Sequence, residues 1–150
     1  MARKCVPGDI VQIELEDGRH VYGQVLVHPY LAVYDYPTTD DADPTDVVSR
    51  PILFIVAVYD RALNGRTWPT VGKAPDGASI TVPDFFTQDM FNPQSCKIID
   101  VGGTMRSVPP EECEGLERAA VWEAVHVQER IRDHYAGRPN VYLKSMALRR

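Results

Sequence analysis

The sequence predicts an α+β fold: a strongly curved antiparallel sheet or small barrel from the N-terminal half, with one long C-terminal helix packed on it. Two patterns predict it. Apolar residues alternate with a period of two in the first sixty residues, and they recur every three or four residues near the C-terminus. The chain has 150 residues, of which 44% are hydrophobic, so it is long enough for one core. We therefore expect a single domain over residues 1–150, with a tail at 144–150.

Four strands are predicted in the first sixty residues, at 9–15, 20–27, 30–36 and 52–59. The dipeptide Asp17-Gly18 joins the first two as a hairpin, and His28-Pro29 marks the next turn. Gly23, inside the second strand, predicts a bulge or bend of the kind that a curved sheet needs. The fourth strand is apolar on both faces, which is typical of a central strand that is covered on both sides.

The middle of the chain, residues 64–94, is rich in Pro and Gly and shows no sustained period. Its apolar residues favour an ordered but irregular cover rather than disorder. They are Trp68, Val71, Phe85, Phe86, Met90 and Phe91. A short strand is predicted at 97–101, and Gly102-Gly103 ends it.

The long helix is predicted over residues 116–136. Pro109-Pro110-Glu111-Glu112 is a helix-start signal, and Gly137 followed by Pro139 ends the pattern. The apolar stripe has the spacing of a buried helix face and consists of Leu116, Ala120, Ala124, Val127, Ile131 and Tyr135. A final strand is expected at 140–143.

Charge and composition exclude several classes of function. The formal net charge is −5, and residues 1–60 hold 4 basic and 10 acidic residues. This balance argues against a nucleic-acid partner, since affinity for nucleic acid comes mainly from cations that neutralise phosphates. No stretch reaches the roughly 20 apolar residues of a membrane-spanning helix, and residues 1–9 hold no hydrophobic signal core. We therefore expect no membrane partner and a cytoplasmic location.

The residues that could carry chemistry form no catalytic or metal-binding motif. His126 and His134 are eight residues apart, too far to ligate one metal alone, and Glu129 between them completes no HExxH pattern. The three widely spaced cysteines form neither a disulfide framework nor a CxxC motif. An enzyme that uses His126, Glu129 and His134 is the weakest hypothesis, and we expect no catalytic centre, no cofactor and no metal site.

Two residues do not fit the stripe of the predicted helix. Glu117 falls beside it, where a buried carboxylate needs a partner such as strand amides or Arg106. Trp122 projects to the opposite side. Either another segment covers Trp122, or it is an exposed aromatic anchor of the kind enriched at binding hot spots.

Several short motifs follow one another in a distinctive order along the chain. They are Gly8-Asp9-Ile10-Val11, Tyr22-Gly23-Gln24-Val25, Tyr34-Asp35-Tyr36, Ile52-Leu53-Phe54, the isolated Trp68, and Gly115-Leu116-Glu117 followed by Val121-Trp122 and Glu129-Arg130. Through them the chain resembles the immunity protein 26 family over about residues 7–143. The resemblance implies an α+β immunity protein of a bacterial polymorphic toxin system. It brings no catalytic residues, and it leaves the cognate toxin open.

The leading hypothesis is a cytoplasmic protein that binds a cognate toxin domain and blocks it stoichiometrically, without catalysis. The alternative is a small-barrel binding module for a peptide or another ligand, which the tyrosines of the bent sheet would favour. The sequence indicates no oligomeric state.

The expected partner-binding surface is an acidic loop. Four aspartates within seven positions repel one another, so the loop lacks an obvious self-stabilising role and suits a basic partner. They are Asp40, Asp41, Asp43 and Asp46. Tyr34 and Tyr36 beside the loop are candidate anchors, and Trp122 marks a second candidate surface.

Overall fold

The computed structural model of the chain describes residues 3–76 and 80–150, which fold into two compact units. The first unit spans residues 1–80 and 121–138, and the second spans residues 81–120 and 139–150. Strands form most of the regular structure, and one helix is long. The predicted α+β class is therefore confirmed.

The elements follow the chain in a fixed order. The strands are β1 (Asp9–Glu14), β2 (His20–Val25), β3 (Tyr30–Tyr34), β4 (Ile52–Val58), β5 (Thr70–Lys73), β6 (Phe85–Gln88), β7 (Cys96–Ile99), β8 (Met105–Val108), β9 (Glu117–Arg118) and β10 (Val121–Trp122). The α-helices are α1 (Pro44–Val47), α2 (Ala124–Ala136) and α3 (Val141–Ser145). Two 3-10 helices lie at Asp60–Leu63 and Pro110–Cys113.

The first unit is built on a six-stranded sheet with the order β10-β4-β3-β2-β1-β5. Neighbours among β1 to β4 are antiparallel, β5 joins β1 antiparallel, and β10 joins β4 in parallel. The four strands predicted for the first sixty residues are thus confirmed. Within the described ranges both sheets are open, with β10 and β5 at the edges of the larger one, so barrel closure and strong curvature are not confirmed.

Gly23 has a different role from the one predicted. The pairing with β1 runs through Gly23 without a register shift, and the pairing with β3 starts at Gly23 opposite Val33, so no bulge forms there. Register shifts occur instead between β1 and β5 and between β3 and β4. A Cβ atom at position 23 would lie 3.1 Å from Leu31 Cδ1 and 3.3 Å from Val11 Cγ2. A side chain at position 23 would therefore need Leu31 or Val11 to move by a few tenths of an ångström, so the glycine favours this close packing across the sheet.

The second unit holds a four-stranded sheet with the order β8-β7-β6-β9. Its core consists of Phe86, Cys96, Ile98, Val108 and Cys113. The region predicted to be irregular thus contributes two strands, β5 and β6. Its apolar residues divide sharply, since Trp68, Phe85 and Phe86 are buried whereas Val71, Met90 and Phe91 are exposed.

The prediction of one helix over 116–136 is wrong in its first part. Residues 117–118 pair with β6 and residues 121–122 pair with β4, so backbone pairing with existing strands replaces the first helical turns. Glu117 and Trp122 are consequently strand residues. The helix α2 begins at Ala124, buries Val127 and Ile131, and ends at Gly137 in the left-handed conformation, as predicted.

The C-terminal segment also differs from expectation. Residues 141–145 form the short helix α3 rather than a strand, because the Asn140 side chain accepts from the amides of Tyr142 and Leu143 and caps the helix. The tail beyond it is held by contacts within the second unit. Leu148 packs against the core, and the Arg149 amide donates to Gln88 Oε1 at 3.0 Å.

A buried carboxylate ties three segments of the first unit together. Asp9, at the start of β1, has no solvent exposure. It accepts from both terminal nitrogens of the Arg3 guanidinium at 2.9 and 3.1 Å, from the Val6 amide at 2.9 Å and from Lys73 Nζ at 3.4 Å. Burial alone would raise the pKa of Asp9, but these hydrogen bonds hold the pKa below its ordinary value.

We predict that Asp9→Asn destabilises the chain near neutral pH and has little effect in acid. A carboxylate whose folded-state pKa is depressed stabilises fully above its unfolded pKa of about 3.9, and this stabilisation is lost as pH falls through the folded value. Loss of charged hydrogen bonds should cost about 1.5–3 kcal/mol near pH 7. Urea denaturation across the acid range measures it, with the exposed Asp41→Asn as control. An equal deficit in strong acid would contradict the role of the charge.

Candidate functional site

Three polar side chains lie on one face of β2 and are buried. His20, Tyr22 and Gln24 alternate along the strand, so they project to the same side of the sheet. Their exposed fractions are 5%, 1% and 4%. Buried polar groups need hydrogen-bond partners, and we call these three residues the polar row.

The polar row binds the backbone of the acidic loop. The Tyr22 hydroxyl donates to the Asp40 carbonyl oxygen at 2.9 Å and accepts from the Ala42 amide at 3.0 Å. His20 Nε2 lies 2.9 Å from both the Tyr22 hydroxyl and the Asp40 carbonyl oxygen. The backbones of His20 and Thr38 also exchange two hydrogen bonds of 2.9 Å. The backbone is therefore fixed first at Thr38 and then at Asp40 and Ala42.

The surroundings of the Tyr22 phenol raise its pKa. Burial raises the pKa of Tyr22, and the nearby charges of Asp41 and Asp40 raise it further. The phenol therefore stays protonated and able to donate its hydrogen bond.

Two of the four aspartates make local contacts at α1. Asp43 caps α1, since its carboxylate accepts from the Thr45 amide at 2.9 Å. Asp46 pairs with Arg50 four residues later, with nitrogen–oxygen distances of 3.1 and 3.2 Å. The expectation that the loop lacks a self-stabilising role is therefore wrong for these two residues, because a short helix forms that uses both carboxylates.

Asp40 and Asp41 lie before α1 and neither cap it nor pair with Arg50, whereas the capping residue Asp43 is exposed too. Both Asp40 and Asp41 are exposed. The backbone on either side of Asp41 is nevertheless bound by Tyr22, through the Asp40 carbonyl oxygen and the Ala42 amide. Val47, in the same short helix, is fully buried among Ile10, Tyr22 and Tyr34. The loop thus presents two carboxylates from a backbone that is held by buried contacts on both sides.

The two candidate tyrosine anchors are placed differently. Tyr34 is 2% exposed, and its hydroxyl donates to Gln24 Oε1 at 2.6 Å, so it completes the polar row rather than reaching the surface. Tyr36 is half-buried, and the Arg50 guanidinium lies over its ring at 3.8 Å. A surface role therefore stays a prediction for Tyr36 but does not suit Tyr34.

Trp122 is covered, which decides between the two interpretations left open by the sequence. It is 5% exposed in β10, and the guanidinium of the buried Arg130 lies 5.2 Å from its ring and 3.8 Å from the Phe54 ring. In this conformation Trp122 contributes to the packing of the first unit rather than to an outer surface.

The histidines of α2 do not form a metal centre with their neighbours. Throughout the described residues, no group of three or more His, Cys, Asp and Glu side chains is arranged to hold a metal ion. His134 instead contacts the Tyr135 ring edge-on, with 4.9 Å between ring centroids. Cys5, Cys96 and Cys113 are free thiols and are buried.

Comparison with models of protein families assigns the chain to a family. The family model described as immunity protein 26 matches residues 6–97, more than half of the chain. The chain belongs to the immunity protein 26 family. Neither a curated protein nor a solved structure matches it. In the part of the chain that the structure describes, no helix has the length and apolar character needed to cross a membrane.

The match places the acidic loop inside the part of the chain that belongs to the family model. Residues 6–97 include β1 to β6, the polar row and all four aspartates, whereas Trp122 and α2 lie beyond the matched range. The sequence contained the aspartates, but nothing in its pattern indicated that Tyr22 and His20 would hold their backbone. The alternation along β2 shows one apolar and one polar face, but it does not indicate that the polar face is buried as well.

We predict that Tyr22→Phe loosens the acidic loop. The variant removes the group that binds the Asp40 carbonyl and the Ala42 amide, so these groups lose a buried partner at a cost of about 1–3 kcal/mol. Amide hydrogen exchange measures the result, with faster exchange expected at Ala42.

Tyr34→Phe is the matched control, because it removes another buried tyrosine hydroxyl of the same sheet without touching the loop backbone. Unchanged exchange at Ala42 in Tyr22→Phe, or equal acceleration in both variants, would contradict the anchoring role.

Proposed function

We propose that the chain is a cytoplasmic immunity protein of a bacterial polymorphic toxin system that binds its cognate toxin domain and blocks it without catalysis. Membership of the immunity protein 26 family is the observation that carries the proposal. The family implies a protein partner, and blocking a toxin requires a stable complex rather than turnover. The partner surface that we assign is the acidic loop, with Asp40 and Asp41 at its centre and Asp43, Asp46 and Tyr36 beside them.

The geometry of the loop supports this surface. Binding to a flexible loop would cost conformational entropy, but hydrogen bonds from Tyr22 and His20 already order this backbone. Two outward carboxylates on an ordered loop favour a partner that offers lysines or arginines. Such charges act mainly on the rate of association and on its salt dependence.

A protection assay tests the function. A toxin domain encoded beside the gene for this chain is produced in bacteria with and without the chain, and growth is measured. We expect arrest by the toxin alone and rescue by the chain. With purified proteins, protection should be complete when the two are present in equal amounts, because a stoichiometric inhibitor is not recycled. Full protection by a small fraction of that amount would contradict blocking by binding.

We predict that the double variant Asp40→Asn, Asp41→Asn associates with the toxin domain more slowly, by about tenfold at low salt, and with a flatter salt dependence. Both residues are exposed, so the fold should be unchanged. Stopped-flow kinetics at low and high salt measures the rate.

The control is Asp84→Asn, Glu111→Gln, which removes the same charge from exposed positions of the second unit. Equal slowing in the two double variants would mean that net charge, rather than this loop, steers the toxin. An unchanged rate in both would remove the loop from the interface.

A further inference from the structure

The loop that joins β6 to β7 presents two large apolar side chains to solvent. Phe91 is 89% exposed and Met90 is 74% exposed, although the adjoining strand residues Gln88 and Cys96 are buried. We call residues 89–95 the hairpin tip. Single exposed apolar residues are ordinary on protein surfaces, but two adjacent ones at the end of a hairpin form a projecting apolar surface.

Local hydrogen bonds fix the backbone of the hairpin tip. The Asp89 carboxylate accepts from the amides of Phe91 and Asn92 at 3.3 and 3.1 Å. The Asp89 amide donates to the Ser95 carbonyl oxygen at 2.9 Å, and the Ser95 amide donates to the Asn92 carbonyl oxygen at 3.0 Å. The exposure of Phe91 is therefore set by an ordered backbone.

The C-terminal segment of the second unit holds the same loop. The buried Gln88 amide donates to the carbonyl oxygens of Pro93 and Arg149, each at 2.8 Å, and its oxygen accepts from the Arg149 amide. The Arg149 guanidinium donates to the Met90 carbonyl oxygen at 3.0 Å. Two independent sets of contacts thus keep the apolar side chains pointing outward.

The hairpin tip has a positive border. The Arg118 guanidinium donates to Gln88 Oε1 at 3.1 Å and to the Met146 carbonyl oxygen at 3.0 Å, and Arg149 likewise donates to carbonyl oxygens. These acceptors are neutral, so they do not cancel the charges of Arg118 and Arg149. The tip holds one carboxylate, that of Asp89, which is bonded to backbone amides, so the three side chains together keep one net positive charge. The Arg118 guanidinium and the Arg149 amide both donate to Gln88 Oε1, so the two residues lie close together. Burial and then the neighbouring Arg149 charge lower the pKa of Arg118.

We propose that the hairpin tip is a second contact surface for the cognate toxin domain, with Phe91 and Met90 entering an apolar pocket whose rim carries carboxylates. This inference rests on the proposed function. The tip offers what a binding hot spot needs, namely apolar area still in water on a backbone that is already ordered. Because Arg118 and Arg149 are positively charged, we expect carboxylates on the rim of the pocket in the toxin domain. A symmetric contact between two copies fits less well, since it would bring the two Arg149 side chains together.

The test is the rate at which the complex with the toxin domain dissociates. For the double variant Met90→Ser, Phe91→Ser we expect dissociation about thirtyfold faster, with association little changed, because buried apolar anchors act on the dissociation rate. Val141→Ser is the control, since Val141 is 65% exposed in the same unit, and it should dissociate at the wild-type rate. Thermal melting of each free variant checks that folding is unaffected.

The charge is tested with two variants at position 149. Both Arg149→Lys and Arg149→Gln remove the guanidinium contact with the tip, but only Arg149→Gln removes the charge. We expect slower association for Arg149→Gln than for Arg149→Lys at low salt, and equal rates at high salt. Equal rates at low salt would exclude carboxylates at the rim.

The outcomes separate this inference from the proposed function. If the wild-type chain neither binds nor protects against the toxin domain, the proposed function is wrong. If it does both, and Met90→Ser, Phe91→Ser dissociates at the wild-type rate, the function stands and the hairpin tip is not in the interface. If the free chain sediments as a dimer that this double variant converts to a monomer, the tip belongs to self-association and the inference is overturned.

Discussion

The burial of β2 on both faces is the constraint on which the first unit depends. One face is apolar and includes Gly23, which lets Leu31 and Val11 approach closely. The other face carries the polar row, whose groups are as buried as the apolar ones. Buried polar groups that lack partners are costly. The sheet is therefore stable only if other segments supply acceptors and donors to this face.

Two segments meet that requirement. Tyr34, on the adjacent strand, donates its hydroxyl to Gln24, and the backbone of the acidic loop bonds to Tyr22 and His20. The loop is thereby ordered by groups that belong to the core. This ordering uses backbone groups of the loop and none of its aspartate side chains. Asp40 and Asp41 are exposed, and Asp43 and Asp46 stabilise a short helix.

The second unit repeats this arrangement with different residues. The buried amide of Gln88 bonds to the carbonyl oxygens of Pro93 and Arg149, and the hairpin tip is held in place as a result. The exposed side chains there are apolar rather than acidic. In both units a buried polar side chain at a strand fixes the backbone of a neighbouring loop, and side chains of that loop are exposed.

The sequence alone determined the four N-terminal strands, the hairpin turn, the end of α2 at Gly137, the α+β class and the family, because these depend on local periodicity, turn residues and short motifs. Only the tertiary structure decided the rest. Residues 117–122 carry a helical pattern, but pairing with β6 and β4 satisfies their backbone as strands. Trp122 and Tyr34 are buried while Phe91 is exposed, although all three are aromatic. Burial depends on which segments meet in space, and hydrogen bonds and packing between residues distant in the chain leave no period in the sequence.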